Sequence, residues 1–166
     1  SQFLSEMDYA SYQKAAEMIL PCSQQGGRLH ITGIGKPGHV AAYAASLFSS
    51  TGTPAYFLHG TEAVHGSCGQ LKPGDVVICI SNSGETSEML TTFAAIKRNG
   101  AKVIGITGKP ESTLARESDL SLFAGVGEEG GPLNRAPRNS VAAEILCLAA
   151  LSPMVQAIVG LTPQEY

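Results

Sequence analysis

At 166 residues the chain has the length of one domain built around one core. Its composition, 43% hydrophobic and 15% charged with 19 glycines, excludes a disordered or fibrous polymer. The net charge of −3, with no dense Lys/Arg run, argues against a nucleic-acid partner.

Apolar runs and helical periods then alternate along the chain. Met7–Leu20 has the spacing of a helix, and Arg28–Thr32 reads as the first strand. Pro37–Ser49 is helical, Pro54–Leu58 a second strand, and Asp75–Ile80 a third. Ser87–Asn99 is a helix stopped at Asn99-Gly100, and Lys102–Ile106 is the fourth strand. A short helix over Glu111–Glu117, a fifth strand over Asp119–Phe123 and a long helix from near Ser140 complete the order. Strands alternating with helices predict an α/β fold: a three-layer αβα sandwich on a five-stranded parallel sheet, flavodoxin-like. With no repeat or long linker, the expected organisation is one domain over residues 1–166.

The apolar stretch Val141–Leu161 carries Glu144, Gln156 and Ser152-Pro153, so it is read as a packed helix and no membrane partner is expected. No leader pattern opens the sequence, and Cys22, Cys68, Cys79 and Cys147 are widely spaced without a CxxC, which predicts reduced thiols and a cytoplasmic location. So little surface charge predicts a homo-oligomer, a dimer or tetramer, because interface cores are depleted in Lys, Glu and Asp.

Open parallel sheets bind ligands on the loops beyond the carboxyl ends of their strands. The first loop, Gly33-Ile-Gly-Lys36-Pro37-Gly38, matches G-x-G-x-x-G, but the second strand ends at His59-Gly60 with no acid to hold a ribose. A nucleotide-dependent oxidoreductase is therefore a minor alternative. Pro37 suits a helix N1 position, and Lys36 beside the positive helix end suggests a nearby anion, with a solvated lysine as the plain alternative. The third loop, Ser81-Asn-Ser-Gly-Glu-Thr-Ser-Glu88, offers four hydroxyls before a helix, a set of donors that can cradle a phosphate monoester. Helix capping by Ser83 or Thr86 would explain one hydroxyl but not the cluster. Glu88 lies in reach of anything bound there, although a carboxylate in a first turn also serves the helix dipole. His59, Glu62 and His65 could form a metal site, but no further ligand follows at a recognised spacing, and no metal is expected. Glu128 and Glu129 lie among glycines, either as a solvated turn or as a loop able to bend over a ligand.

Across these blocks the sequence resembles the sugar isomerase (SIS) domain family, and within it the arabinose-5-phosphate isomerase type, the KpsF/GutQ group. The resemblance spans nearly the whole chain, through Gly33-Ile-Gly-Lys36 with Gly38-His39, Ser50-Thr-Gly-Thr-Pro54, Glu62-Ala-Val-His65-Gly66, Ser81 to Glu88, Lys97-Arg98, Ile106-Thr-Gly108, Pro110-Glu-Ser112, Leu114-Ala-Arg116, Pro132-Leu133 and Ala136-Pro137. It implies that Ser81, Asn82, Ser83 and Thr86 hold a sugar phosphate and that Lys36, His65, Glu88 and Glu129 are catalytic. It further implies cofactor-free aldose–ketose isomerisation through a cis-enediol, with arabinose 5-phosphate and ribulose 5-phosphate as the pair. One of the two glutamates would be the base, with a pKa raised by burial beside the phosphate; Lys36 would steady the enediolate oxygen, and His65 would open the ring or shuttle hydroxyl protons.

Pro37 replaces a serine usual in the family, Ser67 an acid, and Arg135, Arg138 and Asn139 a hydroxyl-rich stretch. Related chains continue to a His-Pro-Gly-Gly segment and often to paired CBS modules, neither of which falls within residues 1–166. A phosphosugar sensor without turnover is the alternative that these departures favour.

Overall fold

The computed structural model describes residues 5, 7–160 and 162–164. Helix α1 spans Tyr9–Gln24 and starts on Asp8, whose Oδ1 accepts from the Ala10 amide at 3.1 Å. It runs past the expected end at Leu20 and through Pro21. The Pro21 carbonyl still accepts from the Gln25 amide at 3.0 Å, and burial of Cys22 against the start of the sheet holds this last turn in place.

Strand β1, Leu29–Gly33, leads into α2, Lys36–Ser50, in which Lys36 takes the first helical position and Pro37 the second. Strand β2 is short, Ala55–Phe57, and is followed by a four-residue helix α3, Gly60–Ala63, that the apolar pattern does not reveal. The His59 imidazole caps α3, its Nδ1 accepting from the Glu62 amide at 3.3 Å. A 3-10 turn at Ser67–Gln70 precedes β3, Val76–Ile80. Helix α4, Ser87–Arg98, strand β4, Lys102–Thr107, the short α5, Thr113–Glu117, strand β5, Leu120–Phe123, and α6, Asn139–Val159, complete the order.

The five strands form one parallel sheet in the order β2-β1-β3-β4-β5. Side chains alternate across it. Leu29, Ile31, Val76, Ile78, Ile104 and Ile106 pack under α1, α2 and α6, whereas Val77, Cys79 and Val103 pack on the other face with α3, α4 and α5. Burial on both faces explains the nearly uninterrupted apolar runs of the central strands β1, β3 and β4, and each such side chain removed from water contributes about 1.5–3 kcal/mol. The expected three-layer αβα sandwich is thus present. Helix α6 is long and apolar enough to cross a membrane by length and composition. In the structure one side of it, Ala143, Cys147, Leu148, Leu151 and Val155, is part of the core.

From β1 the chain moves outward to β2, then returns to β3 on the other side of β1. This reversal opens a crevice between the carboxyl ends of β1 and β3, where doubly wound sheets place their ligands.

Candidate active site

The β3–α4 loop buries the Ser81 hydroxyl and gathers those of Ser83 and Thr86 beside it. Ser81 is 5% exposed, and its Oγ accepts from the Gly84 amide at 3.1 Å. Thr86 Oγ1 lies 3.5 Å from Ser81 Oγ and 3.4 Å from Ser83 Oγ. Thr86 occupies the N-cap position of α4, yet its side chain makes no capping bond. The hydroxyl cluster is therefore not accounted for by capping. Gly84 makes the turn with φ +64°, and a Cβ there would overlap the Ser112 side chain and stand 3.0 Å from Thr107 Oγ1. That hydroxyl donates to the Asn82 carbonyl at 3.1 Å, and the Gly108 amide to the same oxygen at 2.9 Å, so the end of β4 braces the loop from behind.

Ser81, Asn82, Ser83 and Thr86 line one cavity of about 250 Å³ together with Ile34, Pro37, Ile80 and Met89. It lies in the β1/β3 crevice, at the start of α4, where free backbone N–H groups and the helix dipole favour an anion.

None of the four catalytic candidates is among the residues lining this cavity. Lys36 is exposed and adjoins Pro37 on one wall; Glu88 is exposed and adjoins Met89 on another. Glu88 Oε2 accepts from Ser87 Oγ at 2.9 Å. Its carboxyl is held below the usual range, first by its own backbone N–H at the helix start and then by Ser87. His65 is exposed beyond α3. Glu129 sits in the β5–α6 loop, and its Oε2 accepts from the Arg138 amide at 2.7 Å and the Ser140 amide at 3.1 Å. Partial burial works to raise this carboxyl, but the donors of Ser140, Arg138 and Asn139 outweigh it and keep the pKa low.

Residues 23–152 match the SIS domain. The chain belongs to the SIS-domain family. It is 40% identical over 155 residues to arabinose 5-phosphate isomerase KdsD of Pseudomonas aeruginosa, covering 93% of this chain and 47% of that protein. It is 39% identical over 166 residues to KdsD of Escherichia coli K12, covering 98% and 50%. The chain thus spans about half the length of these curated relatives. Among solved structures, an Escherichia coli CFT073 protein in complex with arabinose 5-phosphate superposes with a TM-score of 0.80 at 36% identity, covering 95% of this chain and 90% of the other. A Bacteroides fragilis protein assigned to phosphosugar isomerisation in capsule formation superposes at 0.93 with 35% identity, over 99% and 88%.

Two features of this SIS domain escape the sequence reading. A larger cavity, about 720 Å³, opens beside the carboxyl ends of β4 and β5 and is bordered by Tyr12, Lys109, Phe123, Glu128 and Asn139. And the carboxyl that burial raises is neither Glu88 nor Glu129. Both lie below the ordinary range because helix-start N–H groups or neighbouring hydroxyls bind their charged forms. The raised one is Glu144 on α6, 2% exposed, with neither oxygen hydrogen-bonded among the described residues and its pKa pushed up to about 7 by burial and by the Glu129 charge. A lone Glu in an apolar helix was the only signal in the sequence. Among the described residues no three His, Cys, Asp or Glu side chains converge as a metal site would require; His59 is engaged as the α3 cap.

Proposed function

We propose that this SIS domain binds a sugar phosphate and interconverts its aldose and ketose forms, with arabinose 5-phosphate and ribulose 5-phosphate as the pair. The observation that carries the proposal is the hydroxyl cluster of Ser81, Ser83 and Thr86, which with Asn82 lines one cavity at the start of α4. A dianionic ester held there would meet hydroxyl donors, free N–H groups and a favourable helix dipole together. The relatives named for arabinose 5-phosphate support the choice of pentose.

In the reaction a carboxylate takes the proton from the carbon beside the carbonyl, giving an enediol, and returns it to the neighbouring carbon. Glu88 and Glu129 are the candidates for that base. Lys36 is the cation placed to steady the developing oxyanion at the start of α2, and His65 is the group suited to ring opening and hydroxyl proton transfer. The protein is further proposed to work as a cytoplasmic homo-oligomer. Its four cysteines are all free and buried, which fits a reducing compartment, and Ile145 and Leu146 of α6 are exposed apolar side chains.

The test is isomerisation in deuterated water with a panel of aldose phosphates, arabinose 5-phosphate among them. Label should enter at the carbon beside the carbonyl; if no sugar phosphate acquires any, turnover is refuted. A sensor without turnover is favoured by one observation, that Lys36, His65, Glu88 and Glu129 all lie outside the cavity wall. It predicts thermal stabilisation by a sugar phosphate with no product formed.

A further inference from the structure

Helix α6 begins without a cap of its own: the Arg138 side chain makes no capping bond. Glu129 performs that service from the preceding loop, taking the Arg138 and Ser140 amides on Oε2 at 2.7 and 3.1 Å. Ser140 and Glu144 stand four residues apart and share the buried face of α6. Helical side chains lean toward the N-terminus, so the Glu144 carboxyl is directed toward the same first turn. Both Glu144 oxygens are buried without a hydrogen-bond partner among the described residues. Two carboxyls therefore share one helix start, and the amides there serve only one of them.

The groups around Glu144 leave Glu129 as the charge that bears on it. From α1 comes Tyr12, buried beside Cys147 and with its ionisation suppressed first by burial. From α6 comes Cys147, pushed up to about 12 by burial. The buried residues of α2 are Val40, Ala41, Ala44, Ala45 and Phe48, and the sheet contributes Ile31, Ile78 and Ile106 to this core, all apolar. In the loop, Glu128 is exposed, and the Arg138 guanidinium is turned to the Gly130 carbonyl, with Nη1 donating at 3.2 Å.

We propose that Glu144 is a positioning residue for Glu129: it holds a proton beneath it, leaving the helix-start amides to fix one charged carboxylate, and its ionisation weakens that hold. This rests on the isomerase reading, in which Glu129 belongs to the catalytic group. When Glu144 loses its proton, a second negative charge lies under the first. Glu129 is then repelled from the amides and binds a proton more readily. Turnover should decline on the alkaline side.

The experiment combines pH–rate profiles with infrared titration on the whole chain. In the wild type kcat should fall with a midpoint near 7, as set by Glu144, while KM stays nearly level. Glu144→Gln, which keeps size and neutrality, should lose that limb; Glu144→Leu checks that loss of the proton, not of shape, is responsible. Independently of turnover, the carboxylic-acid band that disappears in Glu144→Gln should titrate at lower pH in Glu129→Gln, where the neighbouring charge is gone. Superimposable wild-type and Glu144→Gln profiles would overturn the proposal, and so would a band midpoint indifferent to Glu129→Gln. If no sugar phosphate turns over, the isomerase reading falls, and the infrared shift still decides whether the two carboxyls are coupled.

Discussion

Thr86 sits where a helix cap belongs and does not cap; its hydroxyl turns instead toward Ser81 and Ser83. This separates two roles that sequence cannot separate. If the hydroxyl serves a bound phosphate, Thr86→Val keeps shape and removes one charge-assisted hydrogen bond, a loss of about 1.5–3 kcal/mol, or at least about tenfold in sugar-phosphate affinity. The melting temperature of the free protein should barely move. Titration calorimetry with arabinose 5-phosphate and a thermal melt read the two quantities; a lower melting temperature with unaltered affinity would restore the capping role. Glu144, besides its proposed bearing on Glu129, also acts on stability. Its folded pKa, about 7, stands above the ordinary 4.5, so folding takes up a proton. The stability is full below pH 4.5, is lost as pH rises from 4.5 to about 7, and is level above, for a total of about 3 kcal/mol. Glu144→Gln should remove that slope and make the protein more stable than wild type at pH 8, as denaturant unfolding at pH 5 and 8 would measure. An equal slope in the variant would count against it.

Among the elements, what could be read from the sequence was whatever has a local cause. The central strands β1, β3 and β4, buried on both faces, give near-continuous apolar runs, and all five strands lie within a residue or two of their expected bounds. The hydroxyl-rich β3–α4 loop was legible because no structural need accumulates so many donors at one turn. Helix α3 and the 3-10 turn at Ser67–Gln70 were not legible: four residues are too few to show a period. Nor was the Glu129–Glu144 relation, which depends on a fifteen-residue excursion closing back on the start of α6, a tertiary event with no periodic trace. The β3–α4 loop itself turns on Gly84. Alanine at φ +64° is strained, and its methyl would collide with the Ser112 side chain, the cap of α5, and press on Thr107 Oγ1, the group that braces Asn82. Gly84→Ala should cost about 1–3 kcal/mol of stability, through the left-handed backbone and the contact together. It should also weaken sugar-phosphate binding by pushing the hydroxyls off the end of β4. Binding that survives unchanged would mean that the cradle does not depend on this brace.

For the molecule as a whole, the distribution of apolar surface argues for assembly. Ile145 and Leu146 are exposed on a helix whose other side is core, and Tyr43 is exposed on α2, which packs beside it. Burial against a second copy of the chain, as proposed above, would take these side chains out of water. Assembly would also bear on chemistry. Within one chain His65 lies on the surface past α3 and Glu129 against α6, both away from the cavity that Ser81, Ser83 and Thr86 line. An oligomer is the arrangement in which such outlying groups can reach a neighbour's cavity. Leu146→Glu puts a charge in the middle of the exposed α6 face without touching the core. It should reduce the sedimentation mass of the assembled protein to that of a smaller species, with near-native helix content by circular dichroism. Turnover should drop by at least about tenfold, because a misplaced catalytic group costs on that order. Unchanged mass would show that α6 faces solvent in the working protein, and a smaller species with full activity would show that each chain completes its own site.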